Sequence, residues 1–172
     1  MKQKKELQHN DKILIVIPAY NEEESILDTY QSVMEYNKKH KSISLDVIVI
    51  NDGSRDSTKQ ILEDYHIPHI NLVHNLGIGG AVQTGYKYAL ENNYDYVVQF
   101  DGDGQHDINY VETILEPLRS GDADLCIGSR FLDDTSEFKS TGARRIGIKI
   151  ISFLIRLFAH IKIMDPTSGF RA

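Results

Sequence analysis

With one cysteine among its 172 residues, the chain forms no internal disulfide. That residue, Cys126, sits in the apolar run Leu125-Cys126-Ile127 and reads as a buried structural thiol rather than a reactive one. Nothing points to an oxidising compartment. The first twelve residues are polar and charged and lack the apolar core of a secretory leader. Residues 1–11 therefore read as a flexible tail, residues 12–172 as one domain, and the expected location is cytoplasmic. No segment reads as a membrane span, because charges interrupt even the most apolar stretch too often. The chain also has no internal repeat and no low-complexity segment. A hydrophobic content of 41% is enough for one globular core.

Positive charge is scarce as well, at −6 net, and an acidic body excludes general nucleic-acid binding, which wants a broad basic surface. The deficit is uneven. Between Phe138 and Met164 there is no Asp or Glu, yet Lys139, Arg144, Arg145, Lys149, Arg156 and Lys162 fall there. The other 13 basic residues face all 25 acids, so the rest of the chain carries −12. Within this segment Arg145, Lys149, Ser152, Arg156 and His160 recur every three or four residues, with Ile146, Ile150, Phe153, Leu154, Leu157 and Ile161 opposite. The spacing predicts a basic amphipathic helix over residues 143–163, suited equally to packing on the domain core and to lying in an anionic membrane interface.

From Ile13 onward short β-branched runs alternate with helical patterns, the signature of an α/β fold with a mostly parallel sheet and helices on both faces. Strands are expected at Ile13–Ile17, Leu45–Ile50, Ile70–Val73, Tyr96–Phe100 and Leu125–Gly128. Helices are expected from Glu22 to Tyr36, from an Asp56 or Ser57 cap through Tyr65, from a glycine-rich turn at residues 75–80 to Asn92, and from Asn109 to Arg119. Residues 131–142 are polar and mixed and read as a surface loop.

The fourth strand ends in Asp101-Gly102-Asp103-Gly104-Gln105-His106-Asp107. Residues two apart in extended chain point the same way, so Asp101 and Asp103 converge, and the glycines between them admit a close ligand. Two close carboxylates need a positive partner, and Mg²⁺ or Mn²⁺ is the natural one, sharing oxygen ligands with substrate phosphates. Gln105 adds a neutral oxygen. Asp107, just before an apolar-periodic run, reads as a helix cap. In open parallel sheets ligands bind beyond the carboxyl ends of the strands. Here those ends carry Pro18-Ala19-Tyr20-Asn21-Glu22, Asn51-Asp52-Gly53-Ser54, Asn75 to Gly80, Asp101 to Asp103, and Ser129-Arg130. Asp52 suits hydrogen bonding to a base or ribose, or a turn role. The glycine stretch lacks the Lys-Ser/Thr pair of a P-loop. Taken together, the strand ends describe a nucleotide cleft with a metal.

The stretches Ile17 to Glu22, Asn51 to Thr58, Asn75 to Gly85, Gln99 to Gln105, Gly128 to Phe131 and Asp165 to Arg171 resemble, in order, a family 2 glycosyltransferase of the Rossmann-like GT-A fold. The likeness is greatest to the dolichyl- and polyprenyl-phosphate sugar synthases. This resemblance implies a three-layer αβα enzyme in which Pro18, Ala19, Tyr20, Glu22, Asp52, Gly79, Asp101 and Gly102 hold a UDP- or GDP-sugar. It further implies that Asp101, Asp103 and Gln105 hold Mg²⁺ or Mn²⁺, and that Arg130, Arg144, Arg145, Lys149 and Arg171 meet an acceptor phosphate. Asp103 and Arg130 would then be catalytic, in an inverting transfer to a lipid phosphate at the inner face of the membrane.

A hydroxyl acceptor would instead need a base, for which Asp165 stands in the right motif, although Asp165-Pro166 also reads as a turn. Relatives continue past the motif at which this chain stops, so a C-terminal truncation is expected. With that comes the alternative of a non-catalytic nucleotide-binding module. A haloacid dehalogenase-type phosphatase also uses Asp-x-Asp after an apolar strand, but on its first strand, whereas three βα units precede the motif here. A nucleotidyltransferase would need a glycine-rich loop and an Arg after Ile17, and neither is present.

Overall fold

A computed structural model describes residues 11–104, 106–128 and 168–172. The basic helix expected over 143–163, the loop at 131–142, residues 1–10, and Gln105, Arg130, Arg144, Arg145, Lys149 and Asp165 lie outside the described residues. Strands Ile13–Ala19 (β1), Leu45–Asn51 (β2), His69–Asn71 (β3) and Tyr96–Gln99 (β4) form a parallel sheet in the order β3-β2-β1-β4. Ile13 of β1 stands opposite Leu45 on one side and Tyr96 on the other.

Every residue of β1 is buried, as a central strand covered on both faces requires. Its alternate side chains divide the core in two. Ile13, Ile15 and Ile17 join a cluster with Ile26, Val33 and Tyr36 of Ile26–Lys39 (α1) and with Leu62 of Thr58–Asp64 (α2). Leu14 and Val16 face the other way and pack with Ala81 and Ala89 of Gly77–Glu91 (α3). Val111, Ile114 and Leu115 of Val111–Arg119 (α4) belong to the first cluster. Helices α1, α2 and α4 therefore cover one face and α3 the other. Helix α3 lies so close to β1 that a β-carbon at Gly85 would overlap the Val16 methyls.

Several expected boundaries shift for local reasons. Helix α1 starts at Ile26 instead of Glu22, because the Glu22 carbonyl accepts from the Ser25 and Ile26 amides and the Glu22 carboxylate from the Ser25 hydroxyl (2.9 Å). A separate turn therefore precedes the helix. The cap of α2 is supplied by Asp56, whose Oδ1 accepts from the Thr58 amide at 3.0 Å, while Ser57 makes no side-chain cap bond. Of the residues expected to form a glycine-rich turn over 75–80, Gly77 to Gly80 already belong to α3, which begins at Gly77. Asp107 caps as expected, accepting from the Asn109 amide at 2.9 Å ahead of a 3₁₀ turn at Ile108–Tyr110.

The strand expected at Leu125–Gly128 is reduced to a single bridge residue, Ile127, which pairs antiparallel with Arg171. Leu125–Gly128 does not pair with β4. The chain around Arg171 takes that edge, pairing antiparallel with Gln99 on one side and Ile127 on the other. A strand's apolar pattern says that it is buried but not which edge it joins. Here a distant segment competes for β4 and wins.

Candidate active site

The sheet order places β2 and β3 to one side of β1 and β4 to the other. Connections leave β1 and β4 in opposite directions, and this switch point opens a crevice at the strands' carboxyl ends. A cleft of about 450 Å³ lies there, within the range of small-molecule sites. It is lined by Pro18, Ala19, Tyr20 and Glu22 after β1, Asp52 after β2, Asn75, Gly77, Ile78 and Ala81 at the start of α3, and Asp101, Gly102 and Asp103 after β4.

Hydrogen bonds between loops hold these walls. After β1 the backbone turns at Asn21, whose φ of 57° lies in the left-handed region that Asn tolerates. The Asn21 amide donates to Ser54 Oγ at 3.0 Å, and its Oδ1 accepts from the Arg55 amide at 2.8 Å. The Glu22 amide donates to Thr58 Oγ1 (2.8 Å), and that hydroxyl donates to Asp56 Oδ1 (2.6 Å). The Glu23 amide donates to Asp56 Oδ2 at 3.1 Å. This lattice fixes the loop that carries Tyr20, 42% exposed, at the cleft. Asp52, only 3% exposed, accepts from the Leu76 amide at 2.7 Å and so ties the end of β2 to the start of α3. That carboxylate takes the turn role considered for it in sequence, and it also lines the cleft. Gly53, at φ 70°, lets the backbone pass close to His74 and Asn75.

The turn after β4 is equally constrained. The Gly102 carbonyl accepts from buried Thr29 Oγ1 at 3.1 Å, and a β-carbon at Gly102 would press on the Pro18 carbonyl at 3.2 Å. Asp101 accepts from Gln99 Nε2 at 3.2 Å, and His106 Nε2 lies 3.3 Å from its other oxygen. Burial pushes the Asp101 carboxyl up. The hydrogen bonds from His106 and Gln99, with the positive fields of His106 and Arg171, outweigh that and hold it below the ordinary carboxylate value.

Four carboxylates line the cleft, and no Lys, Arg or His is among its described lining residues. An anionic ligand entering it needs a cation. The oxygen-only donor set of Asp101 and Asp103 suits a hard divalent ion. No group of three acidic, His or Cys side chains gathers to hold one among the described residues.

Of the nucleotide-site residues inferred from sequence, Pro18, Ala19, Tyr20, Glu22, Asp52, Asp101 and Gly102 all line this cleft. Gly79 does not. It sits in the first turn of α3, and Gly77, Ile78 and Ala81 take the lining positions. A helix starting at Gly77 puts residues 77, 78 and 81 on one side, a signal the glycine pattern concealed. Arg171 lies outside the cleft lining, its guanidinium donating to the Ser168 carbonyl through Nε (3.0 Å) and Nη2 (2.7 Å). Cys126 is half-buried, and burial pushes its thiol up, away from thiolate reactivity.

The model of glycosyl transferase family 2 matches residues 14–172. The chain is similar to the UDP-N-acetylglucosamine–dolichyl-phosphate N-acetylglucosaminyltransferase of Methanococcus voltae, at 29% identity over 93% of this chain and 68% of that protein. It is also similar to the undecaprenyl-phosphate mannosyltransferase of Micrococcus luteus, at 31% identity over 94% of this chain and 65% of that protein. The chain thus spans about two thirds of the length of these curated relatives. Among solved structures, glucosyl-3-phosphoglycerate synthase from Mycobacterium tuberculosis in complex with Mn²⁺ and UDP-glucose superposes with a TM-score of 0.66. The two are 21% identical, over 94% of this chain and 55% of the other, which shows the shared GT-A fold. No described helix is long and apolar enough to cross a membrane.

Proposed function

The chain belongs to glycosyl transferase family 2, and from that premise we propose that it is the donor-binding part of an inverting glycosyltransferase. This enzyme moves a sugar from a UDP- or GDP-sugar to a polyprenyl or dolichyl phosphate. The observation that carries the reading is the convergence of three strand ends and a helix start on one acidic cleft at the switch point. The names of the relatives, which act on dolichyl and undecaprenyl phosphate, support the acceptor class.

In this reading Tyr20 offers its exposed ring to the base, and the start of α3, at Gly77 and Ile78, faces the donor with the positive end of its helix. Asp101 and Asp103, with Gln105, hold Mg²⁺ or Mn²⁺. When bound, the ion offsets the charge that develops on the departing diphosphate. Asp101 and Asp103 are then charge-holding ligands and not an acid/base pair, consistent with the lowered pKa of Asp101. A phosphate acceptor is already anionic and needs cations to hold it more than a base to activate it. Arg130, Arg144, Arg145, Lys149 and Arg171 are the proposed source of those cations, with the basic segment resting on the inner membrane face.

Titration calorimetry with UDP and GDP, with and without Mn²⁺, tests the reading. One nucleotide should bind at least about tenfold tighter with the metal present, and Asp103→Ala should abolish that gain. Binding indifferent to Mn²⁺, or unaltered by Asp103→Ala, would sink it.

A further inference from the structure

The segment 168–172 has no part in the donor reading beyond the charge of Arg171, yet it is built firmly into the sheet. Arg171 and Gln99 exchange backbone hydrogen bonds of 2.8 and 3.3 Å, Gly128 donates to the Phe170 carbonyl at 2.8 Å, and Cys126 and Ala172 exchange two of 2.9 Å. Ser168 is fully buried. Its Oγ accepts from the Phe170 amide at 3.2 Å. Phe170, 6% exposed, meets Phe100 edge-on at 5.7 Å and stacks on His106 at 5.6 Å. This frame lays Gly169 directly against the Asp101 side chain. A β-carbon at Gly169 would fall on the carboxylate itself, overlapping Oδ2, Cγ and Oδ1.

We propose that Gly169 is a positioning residue for the donor site, its bare backbone forming the wall that sets the orientation of the Asp101 carboxylate. The role rests on the reading of Asp101 as a metal ligand. The carboxylate is bounded by Gln99 Nε2 at Oδ1, by His106 Nε2 at Oδ2 and by Gly169, which leaves it one way to face the cleft it lines. The three atoms nearest a β-carbon at 169 all belong to Asp101, so the demand for glycine comes from that side chain. The two sides of the contact also differ in stiffness. Five backbone hydrogen bonds hold the segment, whereas two side-chain contacts hold an aspartate whose side chain is 29% exposed. When the contact is overfilled, Asp101 swings away and the segment stays. Sequence-distant residues are thereby coupled, and the chain after the basic segment completes the donor side.

The test compares wild type, Gly169→Ala, Asp101→Ala and the double variant by calorimetry with Mn²⁺ and UDP, or GDP where wild type prefers it, and by thermal unfolding. Gly169→Ala should weaken nucleotide binding in Mn²⁺ at least about tenfold, the usual effect of misorienting a metal ligand. Its metal-free binding should stay unchanged. In the Asp101→Ala background it should add nothing further, since the group it displaces is gone. Should Gly169→Ala also lower the melting temperature, Asp101→Ala must restore it by making room, and failure to restore it overturns the proposal. Wild-type affinity in Gly169→Ala, or a loss that adds fully to that of Asp101→Ala, overturns it too. Wild type that binds no nucleotide in a metal-dependent way has a different signature, and it overturns the donor reading and this role together.

Discussion

Replacing Asp56 with alanine tests whether the cleft is held by hydrogen bonds between loops. The carboxylate accepts from the Thr58 hydroxyl at 2.6 Å, the Thr58 amide at 3.0 Å and the Glu23 amide at 3.1 Å. Thr58 is fully buried, so its two donors lose a partner that water does not readily replace, at about 1 kcal/mol each. The Glu23 amide lies at an exposed site and contributes at most about 0.5 kcal/mol. Asp56→Ala should therefore cost about 2–3 kcal/mol in equilibrium urea unfolding, a large part of the roughly 5–15 kcal/mol of a typical domain. Asp56→Asn keeps one oxygen for Thr58 and should cost under about 1 kcal/mol. Because the Glu22 amide rests on Thr58 Oγ1, Asp56→Ala should also loosen the Tyr20–Glu22 wall and weaken nucleotide binding roughly threefold to tenfold, about 0.7–1.4 kcal/mol. An Asp56→Ala variant within about 0.5 kcal/mol of wild type, the spread of ordinary surface substitutions, would refute the reasoning.

Acid should expose the same network. At Asp56 burial raises the pKa, but the Thr58 and Glu23 hydrogen bonds outweigh it, and at Asp101 the His106 and Gln99 contacts do likewise, so both folded-state values lie below the ordinary one. A depressed carboxyl stabilises the fold above the unfolded value of about 3.9, and that contribution is lost as pH falls through the lower folded value. Urea stability should thus hold from pH 7 to about 5 and drop below about 4, with a shallower acid limb in Asp56→Ala. Gly85→Val should lower the melting temperature by about 5–10 °C, because the added carbons overlap the methyls of fully buried Val16; an unchanged melting temperature would refute that packing. Tyr20→Ala should leave stability within about 0.5 kcal/mol, the residue being 42% exposed, and should weaken nucleotide binding about tenfold by loss of stacking. Unaltered affinity would remove Tyr20 from the site.

The parts of the fold legible in sequence are those with strong local causes. Runs such as Ile13 to Ile17 and Tyr96 to Val98 are apolar and mostly β-branched or aromatic, and the structure makes them strands of one parallel sheet. Asp107 and Asp56 cap because short carboxylates satisfy nearby amides wherever helices begin. Boundaries were less legible where a side chain turned back on its own loop, as Glu22 does toward Ser25, and where helix α3 absorbed glycines that read as a turn. The sheet neighbour of Leu125–Gly128 is not legible, because edge pairing is a contest between segments, and nothing local to those residues records that residue 171 lies between them and β4.

By itself the sequence determined the α/β class, the parallel sheet and the chemistry at the strand ends, since each follows from period, branching and residue type within a few positions. The tertiary structure alone decided the strand order that opens the cleft between β1 and β4. It also decided the start of α3 that puts Gly77, Ile78 and Ala81 in its wall, and the return of the chain that lays Gly169 on Asp101. Those are matters of which distant surfaces fit together, and a close contact between residues 101 and 169 leaves no mark on the local pattern of either.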